Sequence, residues 1–97
     1  MEVAGVMGTN KLFPFMCLGL ASTDLNTVND SGFYRLASNN YTNGPTTSMY
    51  GVLIVFKDTI SYMSQMVLSL LGTPRVFVRG GAFTDNSWGD WKEISLI

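Results

Sequence analysis

Residues 67–94, VLSLLGTPRVFVRGGAFTDNSWGDWKEI, decide how this chain is read. An apolar run ends in the turn signal Gly72-Thr73-Pro74, and Arg75-Val76-Phe77-Val78-Arg79 then alternates strictly with period two. That spacing puts Arg75, Phe77 and Arg79 on one face of a strand, with Val76 and Val78 on the other. A Gly/Asp/Asn/Ser loop follows, then Trp88 and Trp91, then a short closing strand. Both tryptophans of the chain and three of its six basic residues fall in this stretch.

Working outward, residues 51–56 (GVLIVF) are apolar on both parities, which predicts a central strand covered on both faces and ended by Lys57-Asp58. Residues 33–37 (FYRLA) alternate, with Tyr34 and Leu36 on one face and Phe33 and Arg35 on the other. Gly32 gives the preceding polar turn its backbone freedom. Residues 38–48 are rich in Asn, Ser, Thr, Gly and Pro around a lone aromatic, Tyr41, and read as a surface loop. Segment 60–71 has two readings. Ile60, Met63, Val67 and Leu71 form a helical stripe behind a Thr59 cap, whereas Met66, Leu68 and Leu70 alternate as in a strand. The short turn into Arg75 favours the strand. The expected fold is mainly β, a small antiparallel sheet module of about five strands, or α+β if 60–71 is helical.

The 97 residues make one domain able to bury a core without disulfides or metal. Only 13% of them are charged, against roughly 25% in soluble domains. Such a surface suits cover by sister chains or the reading of neutral ligands. The six basic and seven acidic residues are scattered singly, so nucleic acid is not an expected partner. With no histidine and one cysteine, His-based triads, Cys-His dyads, ordinary zinc sites and intrachain disulfides are all excluded. No metal or other cofactor is expected. Cys17 sits among Phe15, Met16, Leu18 and Leu20 and is expected to be a buried, inert thiol.

Residues 1–10 are Gly-rich and unpatterned. Residues 12–20 are apolar after Lys11, but Pro14 interrupts them, and the run is short of the ~20 residues that span a bilayer. Neither secretion nor membrane insertion is expected; an edge strand or an arm packed on a neighbour is.

In chain order, Asp-Leu-Asn-Thr (24–27), Gly32-Phe33-Tyr34, GVLIVF (51–56), Ser64-Gln65-Met66, Val76-Phe77-Val78-Arg79 and Trp88-Gly89-Asp90-Trp91-Lys92-Glu93-Ile94 resemble the pyocin-knob family. These are knob domains of R-type pyocin and bacteriophage tail fibres. The resemblance implies a largely antiparallel β module near the host-recognising end of a homotrimeric fibre, in a virion or phage-tail-like particle made in the bacterial cytoplasm. It implies non-enzymatic attachment to, or recognition of, a host surface polysaccharide. A glycan-cleaving or accessory domain of a tail depolymerase and a ligand-free spacer are the alternatives. Gly32, Gln65, Arg79, Trp88 and Trp91 match the family's positions and are expected to be structural. Residues 1–23 have no counterpart and read as an N-terminal arm or fibre-junction segment before a knob-like domain at 24–97.

Trp88 and Trp91 are three apart, so an extended segment points them to opposite sides, one plugging the core and the other partly exposed. Core packing is one use of them and a sugar-stacking platform the other. The Arg75–Phe77–Arg79 face reads as half-solvated with cation–π packing, or as a trimer contact, or as an anchor for anionic sugar groups. Asp85, Asp90 and Glu93 raise the question of a glycosidase pair; their loop setting makes turn formation the reading, and no catalytic residue is assigned. The candidate ligand contacts are Tyr41, Trp88, Arg79 and Asn86, with Tyr41 expected to be the most exposed aromatic and Trp91 a core residue.

Overall fold

Each long alternating run folds as a strand. The computed structural model describes residues 17–58, 60–70 and 72–95. Its strands are β1 (Cys17–Leu20), β2 (Gly32–Ser38), β3 (Met49–Lys57), β4 (Tyr62–Ser69), β5 (Arg75–Ala82), β6 (Ser87–Trp88) and β7 (Lys92–Ile94), with a 3-10 turn at Leu25–Thr27. They form one sheet in the order β1 to β6, and β7 also pairs with β5. β2 to β5 make an antiparallel meander, and β1 lies parallel to β2 at the edge. The mainly β fold is as expected, and segment 60–71 contributes a strand. The sheet has seven strands because β6 and β7, two and three residues long, are too short to show a period. No helix among the described residues is long and apolar enough to cross a membrane.

One sheet face carries the core. Leu36 of β2, Met49, Leu53 and Val55 of β3, Val67 of β4 and Phe77 of β5 are buried there. Two irregular segments, 21–31 and 39–48, lie over them and add Ala21, Leu25, Val28 and Tyr41. Each such side chain contributes about 1.5–3 kcal/mol by leaving water. The covering segments are stitched to each other: the Leu25 amide donates to the Thr42 carbonyl (3.1 Å) and the Thr42 amide to the Thr23 carbonyl (2.8 Å). Tyr41 corrects the surface-loop expectation. Its ring is 2% exposed, and its hydroxyl accepts from the Ala37 amide at 2.7 Å. A lone aromatic in a polar loop is here the loop's anchor into the core.

The opposite face carries the rows Phe33–Ile54–Met66–Val78 and Arg35–Val52–Leu68–Val76–Ile94, set by the strand registers. Tyr50, Phe56, Tyr62 and Leu70 on the same face are exposed. Strand β3 is central, but the described residues cover it on one face only, so its both-parity apolar pattern is not explained by cover within them. Cys17 is exposed, against the expectation of a buried thiol, because β1 is an edge strand with all four residues exposed. The rest of the expected N-terminal arm lies outside the described residues.

Candidate functional site

The order of pairing on β5 creates the site. β6 pairs with Gly81 and Ala82, β7 pairs with Val76 to Val78, and between them the chain leaves the ladder opposite Arg79 and Gly80. The Gly89 amide donates to the Gly80 carbonyl (2.7 Å) at this bend. Gly81 permits the close approach of β6: a Cβ there would run into the Ser87 carbonyl and stand 2.9 Å from the Trp88 ring. The bend also corrects the expectation that Trp88 and Trp91 point to opposite sides. Both stand against the Arg79 guanidinium, whose Cζ is 4.3 Å from the Trp88 ring centroid and 4.7 Å from that of Trp91.

Arg79 reaches this position from the core face of β5, opposite Gln65 of β4. Gln65 is fully buried. Its amide nitrogen donates to the carbonyls of Leu25 (2.8 Å) and Val28 (2.7 Å), at the two ends of the 3-10 turn. Its Oε1 accepts from Arg79 Nε at 2.9 Å. The indoles join the same covering segments: Trp88 Nε1 donates to the Asn26 carbonyl (3.3 Å) and Trp91 Nε1 to that of Asn43 (2.9 Å). Thus 3-10 turn, Gln65, Arg79 and both tryptophans are one connected network. Arg79 is 7% exposed, so the half-solvated reading of its face is corrected for Arg79 and Phe77, both buried. It survives at Arg75, which is exposed, lies 4.8 Å over the Phe77 ring and pairs with Glu93 through two hydrogen bonds.

Burial pushes Arg79 down to about 10, and the charge of Asp24 partly opposes this. At neutral pH the guanidinium is still a cation, a costly group to desolvate. The stacked rings offset part of that cost, about 2 kcal/mol for a desolvated cation–π contact. Asp24 itself is held below the ordinary carboxylate value, first by the Asn43 side-chain amide (2.7 Å) and then by the Asn26 backbone amide (3.0 Å).

Two buried polar atoms in this network have no hydrogen-bond partner: Nη2 of Arg79 and Oδ1 of Asn26. Each unmet group costs about 1–3 kcal/mol. Both residues line a cleft of about 290 Å³, together with Asn43, Trp88, Asp90 and Trp91.

Of the four candidate contacts, the structure brings Trp88 and Arg79 together at the cleft. Asn86 is exposed with φ 52° in the turn before β6 and does not line it, and Tyr41 is in the core. Trp91, expected in the core, packs against it and also lines the cleft. Gly32 is buried at the start of β2, opposite Val55. Asp85 closes its own turn, accepting from the Ser87 amide (3.3 Å) and hydroxyl (2.8 Å), and Glu93 is engaged by Arg75. Asp90 is the one carboxylate that lines the cleft among the described residues. No group of three or more potential metal ligands stands together among those residues. Sequence reasoning missed Asn26 and Asn43 as cleft residues. The available signal for Asn43 was the Asn43-Gly44 pair, since Asn43 takes φ 59°, a conformation that asparagine tolerates. No protein-family model matches the chain, and neither a curated protein nor a solved structure matches it.

Proposed function

We propose that this chain is a non-catalytic knob module of a phage or phage-tail-like fibre, working as a homotrimer that attaches to bacterial surface polysaccharide. The observation that carries the reading is the cleft flanked by two half-buried indoles, with unmet hydrogen-bonding groups in its lining residues. Aromatic faces fit the C–H face of a pyranose, and a few polar groups fix its orientation. Four of the six motifs on which the resemblance rests also meet here, since residues 24–27, Gln65, Arg79 and Trp88 to Trp91 contribute to one network. A single carboxylate lining the cleft among the described residues supports binding over hydrolysis, because glycosidases use a pair. The exposed aromatic and aliphatic residues of the outer sheet face support association with sister chains.

A cleft of about 290 Å³ is at the small end for ligand sites, so each site binds weakly and several copies act together. A glycan array probed with the purified chain, alongside its mass by light scattering, tests both parts. Binding to bacterial polysaccharides by a trimer is expected. Silence on the array overturns attachment, and a monomer at every concentration overturns self-association.

The closed Gln65–Arg79 relay also favours a second reading, a purely structural knob. Loss of stability without loss of glycan retention in cleft variants would single it out.

A further inference from the structure

Three charged groups stand at this corner of the molecule, and they are not equally open to a ligand. Arg79 is 7% exposed, gives its Nε to Gln65 and lies in the field of Asp24. Asp24 accepts from Asn43 and Asn26 and does not line the cleft. Asp90 does line it and is exposed, and its carboxylate has neither a hydrogen bond nor an ion pair among the described residues. Asn43, also exposed at the cleft, turns its side-chain nitrogen to Asp24, which leaves its Oδ1 as a second acceptor without a partner. The accessible charge of the cleft is therefore negative, although a buried arginine also lines it.

Two half-buried indoles complete the lining. Aromatic faces attract cations, a property that Arg79 already exploits in both rings. An ammonium brings a positive charge, three donors and no acceptor, which suits the open acceptors and the rings alike. A carboxylate or phosphate would instead meet Asp90 as a like charge. We infer that the cleft prefers an amino sugar to a neutral or acidic one, its protonated amine drawn to Asp90 and its ring set against the indoles. This rests on the reading that the cleft holds polysaccharide, and it replaces the sequence-based idea of Arg79 as an anchor for acidic sugars. Asp90 is then a specificity residue that does not hold up the fold. Its effect is modest, about two- to fivefold in affinity, because an exposed charge pair is weak in water.

The test is an NMR titration of the isotope-labelled full chain at about pH 6, where amines are protonated and carboxylates ionised. It follows the indole N–H signals of Trp88 and Trp91. The probes are methyl glycosides of the hexose, the hexosamine, its N-acetyl form and the hexuronic acid, in the gluco and galacto series. Within each series they share a ring and differ in charge. In at least one series the hexosamine is expected to bind about two- to fivefold tighter than the hexose or the N-acetyl form, and the uronic acid more weakly than all three. The gap should close in about 1 M salt. Asp90→Asn should keep the melting temperature and bring the hexosamine to the level of the hexose. Asp85→Asn removes the same charge from an exposed turn that does not line the cleft, and should leave the preference intact. A hexosamine no tighter than its hexose in both series, or a tighter uronic acid, overturns the inference and leaves attachment standing. So does a preference that survives Asp90→Asn or vanishes with Asp85→Asn. No movement of these signals with any of the sugars overturns both.

Discussion

Arg75 and Arg79 occupy the same strand and the same face, with Phe77 between them, yet they live in different solvents. Arg75 is open to water and answers Glu93 across the β5–β7 ladder. Arg79 is sealed beneath two indoles and a buried glutamine. Local sequence does not distinguish them. The difference lies in what the rest of the chain lays over each end of β5. Segments 21–31 and 39–48 reach the Arg79 end, and the ladder is interrupted there; at the Arg75 end the ladder with β7 runs on. An arginine on a strand is a surface charge or a keystone according to its cover.

Substitution at these two positions breaks the comparison most sharply. Arg79→Ala strands Gln65 Oε1 and removes both ring stacks, and is expected to cost about 3–5 kcal/mol in urea unfolding. Arg75→Ala is expected to leave the midpoint within error, because an exposed, screened pair contributes little. Equal losses at both sites would falsify the contrast. Gln65→Leu keeps the shape but leaves two carbonyls and Arg79 Nε unmet, an expected loss of about 3 kcal/mol. A smaller loss from Gln65→Leu than from Arg75→Ala would show that the relay is incidental.

Removing one indole N–H at a time sharpens the picture within the buried end. Trp91→Phe forfeits the 2.9 Å bond to Asn43 and is expected to cost about 1 kcal/mol; Trp88→Phe, with its 3.3 Å bond, should cost less. Differential scanning calorimetry on the pair checks the order, and a reversal would mean that ring packing, not the N–H, dominates.

The smallest effect concerns pH. Asp24 is held below its ordinary value of 3.8 in the folded chain, so the unfolded chain binds that proton more tightly. The stabilisation is complete above the ordinary value and is lost as pH falls through it towards the folded one. Asp58 is shifted the same way by three backbone amides, so the test is a difference: Asp24→Asn should melt with a shallower acid slope than the parent chain. Parallel slopes would show that Asp24 is not held by Asn43.

The sheet was legible because its evidence is local. Alternation at Arg75 to Arg79, and the short turn before it, were enough to place β4 and β5. The site was half legible. Arg79 and the tryptophans stood out as residue types, but their convergence depends on a bend at Gly89-Asp90 that no period announces. Asn26 was invisible for a related reason, and Asn43 showed only its turn signal: they are ordinary loop asparagines until a distant part of the chain delivers an indole to each carbonyl. Tyr41 misled because a polar neighbourhood in sequence is not a polar neighbourhood in space.

Those indole contacts span long stretches of chain, 62 residues between Trp88 and Asn26 and 48 between Trp91 and Asn43. The β3–β4 hairpin closes across a short turn. Loop-closure entropy grows with span and precedes the contacts that repay it, so hairpins are early events in folding and the cleft is a late one. A ribosome-bound chain has no cleft until residue 91 has emerged. Both tryptophans of the chain sit in it, so in stopped-flow refolding tryptophan fluorescence should lag the far-ultraviolet circular dichroism of the sheet. Coincident traces would mean that sheet and cleft condense in a single step.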